Sequence, residues 1–383
     1  MRGYIQTFAD KNAWYTLSGA SRDVVLSTRA RLARNLANFQ FHPSLPQDDT
    51  SRIRSLLIDA FASISMQAGI ENGDLFQILD TAKLEPLQKR VLFERGIIAP
   101  AALHAMTQAA QEAAMPAPTL IIRDDGCVSA MLNDRDHYRV AAFVSGEDVE
   151  GAWNMCTEID DGIQQNIQVA ASHEFGFLTA NFKDAGTGVK TSLYVHLPSI
   201  TLAGNIVSVV EKLSRQGFAT EAVYGVGNIP GSALGAYYKI YNIHSSFGGR
   251  VNQITALQAV AAYIVEMERK ARGQIVEQKL TVLKDTVYKS FGAAQLSKFL
   301  TEKDAAQFLS DIKLGRDTEL ITGFEDDDFA ALLYRIKEAH LSFMVKAAHF
   351  SLEDDVASNP ALVIPRMRSL VVHEALENTS ITF

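Results

Sequence analysis

Four segments of the chain concentrate side chains that could carry out chemistry. They are VVLSTRARLARNLANFQF (24–41), MLNDRDHYR (131–139), LTANFKDAGTGVKTSLYVHLP (178–198) and VYGVGNIPGSALGAYYKIYNIHSSFGG (223–249). The first two are rich in arginine, and the last two are rich in glycine. A local cluster of cations in such segments could bind phosphate groups, whereas a lone arginine is more often a solvated surface residue.

Other kinds of site have little support in the sequence. His173 and Glu174 begin like a zinc-binding HExxH motif, but Phe177 stands where the second histidine would be. The two cysteines, Cys127 and Cys156, belong to no CxxC motif. We therefore predict no metal site, and we expect reduced thiols in a cytoplasmic protein.

The composition is that of a globular protein with a large core. Of the 383 residues, 47% are hydrophobic and 21% are charged, and the formal net charge is −8. A negative overall field disfavours nucleic acid as a partner. The N-terminal residues have no apolar signal-peptide core, and no run of apolar residues is long enough for a membrane span, so we expect no membrane association.

The distribution of apolar runs predicts an α+β protein whose mostly antiparallel sheet is flanked by helices. Short apolar runs separated by turn residues indicate strands at 119–123, 127–132, 138–144, 175–181, 190–198, 221–227 and 233–243. Helical periodicity indicates helices at 51–68, 148–170, 199–217 and 251–272, and an alanine-rich helix or loop at 101–118. After residue 275 the strand signals fade, so we predict a core domain at 1–275 and an all-helical C-terminal domain at 276–383.

The four segments, in this order, resemble the signature motifs of the ATP:guanido phosphotransferases. Segment 24–41 is similar to the family's Ser-Ser/Thr-Arg-x-Arg opening, and segment 131–139 resembles its Asn-Glu-Glu-Asp-His-x-Arg motif. The other two resemble the Thr-Gly-x-Arg-Ala-Ser stretch and the Gly-Glu-Gly loop. Residues 287–315 are similar to the helical C-terminal domain of bacterial protein-arginine kinases. The similarity covers roughly residues 20–345.

The resemblance implies transfer of the γ-phosphoryl group of ATP, with Mg²⁺, to an arginine guanidinium. Cationic side chains would hold the phosphates and spread the charge that develops during transfer. By motif position these are Arg29, Arg31, Arg139 and Lys190, the lysine replacing a family arginine. Glu221 replaces a further phosphate-binding arginine and reverses its charge.

The positions that the family uses for the guanidinium depart further from its pattern. Arg135 and Val226 replace the two catalytic glutamates, Asn181 replaces a cysteine, and Gly96 replaces a histidine. A guanidinium stays protonated, so it needs carboxylates that grip it and accept its proton. Changing glutamate to arginine turns an attraction of about 4 kcal/mol into a similar repulsion at an effective dielectric constant of about 20.

Two hypotheses about function follow from these replacements. The leading one is a catalytically impaired, dimeric homologue that binds nucleotide and acts on a protein partner, either an intact kinase paralogue or a protein quality-control component. The alternative is an active phosphotransferase in which Asp134 or Asp184 serves as a relocated carboxylate. The simpler interpretation makes Asp134 a hairpin-turn residue and Asp184 a turn residue before Gly186. We also hypothesise that Arg135 and Glu221, whose charges are both reversed, pair with each other.

The C-terminal domain of protein-arginine kinases holds a phosphoarginine pocket near an Arg-Asp-x-x-Arg-Ala motif. The nearest stretch is IPRMRSLVV (364–372), where Ile364 and Pro365 stand in place of Arg-Asp. The resemblance therefore implies an eroded pocket. We expect Arg366 and Arg368 to form the solvated face of a helix.

Overall fold

The computed structural model of the chain describes residues 13–68, 75–99, 103, 117–225, 232–245, 249–324, 326–348 and 350–382. Val226 lies outside these ranges, as does nearly all of the stretch 101–118, for which a helix or loop is predicted.

An antiparallel sheet forms the centre of the described core domain. Its strands are β1 (Val25–Arg34), β2 (Phe76–Asp80), β3 (Thr119–Arg123), β4 (Val128–Leu132), β5 (Tyr138–Ser145), β8 (Val189–His196), β9 (Phe218–Ala222) and β10 (Tyr237–Asn242). Two short strands, β6 (Ala171–Ser172) and β7 (Gly176–Phe177), form a separate pair. Eight of these follow one another in space as β2-β3-β4-β5-β1-β8-β10-β9. Each neighbouring pair runs antiparallel, which confirms the predicted fold class.

Helices pack on both faces of this sheet. The helices of the core domain are α1 (Gln47–Gln67), α2 (Pro86–Glu94), α3 (Val149–Gln164), α4 (Pro198–Leu202), α5 (Ile206–Arg215) and α6 (Arg250–Gln278). Of these, α1 and α3 lie on one face and α2 lies on the other. Leu57 of α1 and Cys156 of α3 are fully buried and share a cluster with Leu32 of β1. Because such side chains are closely packed, truncating Leu57 to alanine would cost about 2–5 kcal/mol of stability.

The C-terminal region is helical, as predicted. Its elements are α7 (Leu280–Leu296), α8 (Glu302–Asp317), β11 (Ile321–Thr322), α9 (Asp326–Arg335), α10 (Glu338–Ala347), α11 (Asp354–Ala357), α12 (Pro360–Ala375) and β12 (Ser380–Ile381). The short β11–β12 pair corrects the expectation of a purely helical domain. The predicted boundary after residue 275 falls inside the last turn of α6 and stays a prediction.

The helical region packs directly against the sheet. The imidazole Nε2 of His196 in β8 lies 2.7 Å from the hydroxyl of Ser310 in α8, and both residues are buried. The Tyr237 hydroxyl of β10 donates to the Ala306 carbonyl at 3.1 Å. These hydrogen bonds hold the C-terminal helices over the strands that carry the candidate site.

Three elements differ from their predicted bounds. Only β7 forms within the strand predicted at 175–181, and the strand predicted at 221–227 is β9, which ends at Ala222. The helix predicted at 199–217 is two helices, α4 and α5, separated by Gly204 with a φ of 81°. A positive φ interrupts helical geometry, and glycine adopts it at low cost.

Side chains along β1 point alternately to the two faces of the sheet, and the two faces have different roles. Ala30 and Leu32 point toward α1 and α3 and are fully buried. Ser27, Arg29 and Arg31 occupy the intervening positions, so they point to the opposite face of the sheet. That opposite face carries the candidate site.

Candidate active site

Four cations predicted from the sequence lie on one face of three adjacent strands. Arg29 and Arg31 are two residues apart on β1 and therefore share a face. Lys190 of β8 pairs with Arg31, and Arg139 of β5 pairs with Ala33. Because opposed residues of an antiparallel pair point to the same side, the sheet register brings all four cations together.

Lys239 is a fifth cation of this face, and the sequence analysis missed it. It lies on β10 opposite Tyr194, which in turn lies opposite Ser27. Burial, with Arg29 nearby, lowers the pKa of Lys239 to about 8, although Glu221 opposes the effect. Glu221 stands directly opposite Lys239 on β9. The alternation of side chains in YYKIYN assigns Lys239 to one face of its strand. Placing that face beside the other cations also requires the register of β10 on β8, which the sequence does not give.

The central cations of this face repel one another. Burial, followed by the charges of Arg31 and Arg139, lowers the pKa of Arg29. Burial and Arg31 likewise lower the pKa of Arg139. The Nε atoms of Arg29 and Arg139 are buried without a hydrogen-bond partner among the described residues. Such a cluster is stabilised by an anion, so its residues fit the phosphate groups of a nucleotide.

Asp184 supplies one anion to this cluster from within the chain. Its carboxylate lies 2.7 Å from the Nζ of Lys190 and 3.6 Å from a terminal nitrogen of Arg31. A short 3₁₀ turn, Phe182–Asp184, begins at Asn181, whose side chain accepts a hydrogen bond from the backbone of Lys183. Asp184 is thus a turn residue before Gly186, as predicted, but the turn also buries it to 3% exposure and directs its carboxylate to the cations.

Asp134 supplies a second anion. It lies in the turn between β4 and β5, as predicted, and its carboxylate forms an ion pair with Arg139. The neighbouring Arg135 is exposed to solvent. Both carboxylates proposed as relocated catalytic groups are therefore engaged by cations of the candidate site.

The hypothesis that Arg135 pairs with Glu221 is wrong. Four strand spacings, about 19 Å, separate β5 from β9 across the sheet. Along the strands, Glu221 lies opposite Lys239, which lies opposite Tyr194, and Tyr194 lies opposite Ser27 of β1. The start of β5 instead lies opposite Arg34 of β1. Those two positions of β1 differ by about 23 Å of strand. The charge reversals at positions 135 and 221 are therefore independent.

The rest of the Asn-Asp-Arg-Asp-His segment is structural. Leu36 donates its backbone N–H to Nδ1 of His137, and Nε2 of this ring faces the Gln40 carbonyl at 2.9 Å. Burial lowers the pKa of His137 to about 4. Asp136 accepts hydrogen bonds from the Asn35 side chain and the Ala180 backbone. These contacts join the end of β1, the β4–β5 turn and the loop that carries Asp184.

A cavity of about 200 Å³ adjoins the cations on the side of Arg29 and Lys239. Its floor is formed by the sheet, and its other walls come from α2, α9 and the residues that follow each of them. The lining residues are Ser27, Arg29, Glu94, Arg95, Gly96, Phe143, Ser192, Tyr194, Val223, Tyr224, Lys239, Leu333, Tyr334 and Lys337. The cavity thus combines four cationic side chains and the carboxylate of Glu94 with several aromatic rings, and the C-terminal domain completes it.

Gly96 lines this cavity in place of the family's histidine. Its φ is 73°, and it follows α2 in a turn where the N–H of Ile97 donates to the Leu92 carbonyl. Glycine is the residue most suited to this left-handed position after a helix. The replacement therefore removes a side chain from the cavity wall and caps the helix.

Glu94 is a cavity carboxylate that the sequence analysis did not single out. Its carboxylate accepts the backbone N–H groups of Ala339 and His340 at the start of α10, at 2.8–3.3 Å. Lys337, adjacent to this helix start, bonds Glu302 at 2.7 Å and lies 4.2 Å from the ring of Tyr224. Glu94 thus joins the two domains at the edge of the cavity. A carboxylate at a helix N-terminus is stabilising because the helix dipole is positive there.

The arginines of the last long helix are buried. Arg366 and Arg368 are 8% and 4% exposed, so the expected solvated face is wrong. Arg368 donates to the carbonyls of Ile336 and Leu300, and Arg366 forms an ion pair with Glu353 at 2.6 Å. Both side chains fasten α12 to its neighbours.

Within the part of the chain that the structure describes, no three His, Cys, Asp or Glu side chains are grouped as a metal site. Among the described helices, none is long and apolar enough to cross a membrane.

Comparison with solved structures defines the class of fold. The chain superposes on lombricine kinase with a TM-score of 0.53 and 18% identity, covering 71% of each chain. It also matches the duplicated taurocyamine kinase of Schistosoma mansoni, with a TM-score of 0.54 and 15% identity, over 68% of this chain and 35% of that one. The fold is therefore that of the guanidino kinases.

Sequence comparison then gives the family. Residues 59–271 match the ATP:guanido phosphotransferase C-terminal catalytic domain, and residues 280–357 match the protein-arginine kinase McsB C-terminal domain. The chain belongs to the ATP:guanido phosphotransferase family. It is 31% identical to the protein-arginine kinase of Halothermothrix orenii over 86% of this chain and 88% of that protein. It is 28% identical to the protein-arginine kinase of Desulforamulus reducens over 93% and 96%, respectively.

Proposed function

We propose that this protein is a catalytically impaired protein-arginine kinase homologue that binds the phosphate groups of a nucleotide and acts by associating with a protein partner. The observation that carries the proposal is the pairing of Asp134 with Arg139 and of Asp184 with Arg31 and Lys190. Cations of the phosphate-binding face engage both of these carboxylates. A guanidinium acceptor would have to compete with those cations for each one.

The alternative, an active kinase with relocated carboxylates, requires Asp134 or Asp184 to accept a proton from the guanidinium. The oxygens of both carboxylates already contact cations of this chain, so a guanidinium would have to displace those cations. Arg135, at the position of a family glutamate, adds a positive charge. Glu94 is engaged by the N-terminus of α10, so it is a poor substitute.

The capacity to bind nucleotide is supported by Arg29 and Lys239. Neither has an ion pair within the described ranges, and both line the aromatic cavity. A nucleotide bound there would supply the phosphoryl group that the family transfers. The cations of this chain would hold its phosphates. We propose that the partner is an intact kinase paralogue or a protein quality-control component. We further propose that the protein is cytoplasmic and forms a homodimer.

Calorimetric titration of the purified protein with ADP and Mg²⁺, paired with an assay of ATP consumption, tests the proposal. We expect saturable binding that Arg29→Ala abolishes, and no consumption of ATP with or without an arginine-containing protein. Consumption of ATP that depends on Arg29 would support the active-kinase alternative. Failure to bind nucleotide would contradict the proposed ligand.

A further inference from the structure

The charges on the candidate site are unevenly compensated. At one end, the single charge of Asp184 is shared by Arg31 and Lys190 and offsets one of these two cations, while Asp134 offsets Arg139. At the other end, Arg29 has no ion pair among the residues described. Lys239 has only Glu221 opposite it across the strand pair. Arg29 and Lys239, beside the cavity, therefore have no direct ion pair within the described ranges, whereas the cations at the other end already contact a carboxylate.

The two ends are far enough apart to hold different parts of one ligand. Arg29 and Arg31 are two residues apart on an extended strand, a separation of roughly 7 Å. Tyr194, Tyr224 and Tyr334 line the cavity at the Arg29 end, where a planar base could pack against their rings. A ligand anchored there would extend its phosphate chain toward Arg31 and Lys190, where the carboxylate of Asp184 lies.

We propose that the Asp184 carboxylate occupies the place of a terminal phosphoryl group on Arg31 and Lys190, so that the site binds nucleoside monophosphates in preference to triphosphates. This inference rests on the proposed nucleotide binding and specifies which nucleotides are favoured. One phosphoryl group needs only Arg29 and Lys239. A further phosphoryl group would have to lie beside the buried Asp184 carboxylate or displace it, so repulsion from that carboxylate opposes the attraction of Arg31 and Lys190.

Metal-free calorimetric titrations with AMP, ADP and ATP in the presence of EDTA test this inference. For the wild-type protein we expect AMP to bind about tenfold more tightly than ATP, the effect of one partly screened charge contact. Asp184→Asn should raise the affinity for ATP by about tenfold and change that for AMP by less than about twofold. Asp184→Glu, which keeps the charge, should retain the preference for AMP.

A matched control removes the same charge elsewhere. Asp285 forms an exposed ion pair with Lys289 on α7 at 2.7 Å, so Asp285→Asn should leave the affinities for all three nucleotides unchanged. Thermal unfolding of each variant checks that it is folded. If Asp184→Asn is unfolded, Asp184→Ser removes the charge with a smaller side chain and should give the same gain for ATP.

The results separate failure of the inference from failure of the proposed function. Tighter binding of ATP than AMP by the wild-type protein, or equal nucleotide affinities in Asp184→Asn and wild type, overturns the role of Asp184 while nucleotide binding stands. Absence of binding by all three nucleotides, in wild type and variant alike, overturns both.

Discussion

The carboxylate of Asp184 lies 2.7 Å from the Nζ of Lys190, on the face of the sheet that also carries Arg29, Arg31 and Arg139. The same carboxylate lies 3.6 Å from Arg31. An internal anion is therefore built into a cationic site, and a second one, Asp134, neutralises Arg139. The cations of this face without an ion pair among the described residues are Arg29 and Lys239, which adjoin a cavity shared with the C-terminal domain.

Arg29 should dominate nucleotide binding, whereas Arg135 should not affect it. Arg29→Ala removes a charged hydrogen-bond donor from the floor of the cavity, and we expect affinity for AMP to fall by about 1.5–3 kcal/mol. Arg135→Ala changes an exposed side chain in the turn between β4 and β5, away from the cavity, so its effect should stay within about twofold. Isothermal titration of the two variants makes the comparison, and equal losses would contradict the placement of the site.

Nucleotide affinity should decrease as the pH rises through about 8, because the pKa of Lys239 is lowered to about 8. Below this pH the lysine is charged and attracts phosphate, and above it the lysine is increasingly neutral. A bound anion favours the charged form and will move the midpoint upward. The phosphate ligand itself does not change charge in this range, since its second pKa is about 6.

The measurement is the dissociation constant for AMP between pH 7 and pH 9.5. Lys239→Met should bind more weakly at pH 7 and show a flatter dependence on pH over the lower part of this range. An equally steep fall in the variant would assign the titration to another group.

Glu94 should stabilise the junction between the two domains. Glu94→Ala removes the acceptor of two backbone N–H groups at the start of α10, and we expect a loss of about 1 kcal/mol in the free energy of unfolding. Glu338→Ala is a matched control. It breaks an exposed ion pair with Arg90 that joins the same two helices, and such pairs contribute about 0–1 kcal/mol. Denaturant unfolding of both variants tests whether the contact of Glu94 with α10 contributes more to the free energy of unfolding than the exposed ion pair of Glu338 does.

Acid should destabilise the fold through His137. The neutral ring accepts a hydrogen bond from Leu36, and burial lowers its pKa from 6.5 to about 4. Between these values the unfolded chain binds a proton that the folded chain does not, so stability decreases as the pH falls from about 6.5 toward 4. His137→Gln should be less stable at pH 7 and should lose less additional stability on acidification. Thermal unfolding at pH 7, 6 and 5 gives this difference, and parallel curves for wild type and variant would contradict it.

Much of the cationic cluster could be predicted from the sequence because it depends on local alternation and motif order. Arg29 and Arg31 share a face by strand periodicity, and the family motifs supply Arg139 and Lys190. The strand bounds at 119–144 follow from apolar runs bounded by turn residues, and the structure matches them closely.

The remaining features depend on contacts between distant parts of the chain. Lys239 reaches the cluster through the register of β10 on β8, and Tyr334 and Lys337 reach the cavity through docking of the C-terminal helices. The orientation of Asp184 is set by the 3₁₀ turn that begins at Asn181. Sequence periodicity carries no information about inter-strand register, helix docking or the aim of a loop side chain.

The central proposal is that three described carboxylates of the site, Asp134, Asp184 and Glu94, are all engaged by other groups, and phosphoarginine formation tests it most directly. Purified wild-type protein would be incubated with ATP, Mg²⁺ and an arginine-rich protein, and phosphoarginine would be measured by mass spectrometry under conditions that preserve the P–N bond. The account predicts no phosphoarginine above the level of a control without the protein. Phosphoarginine that forms with wild type and disappears with Arg29→Ala would contradict it.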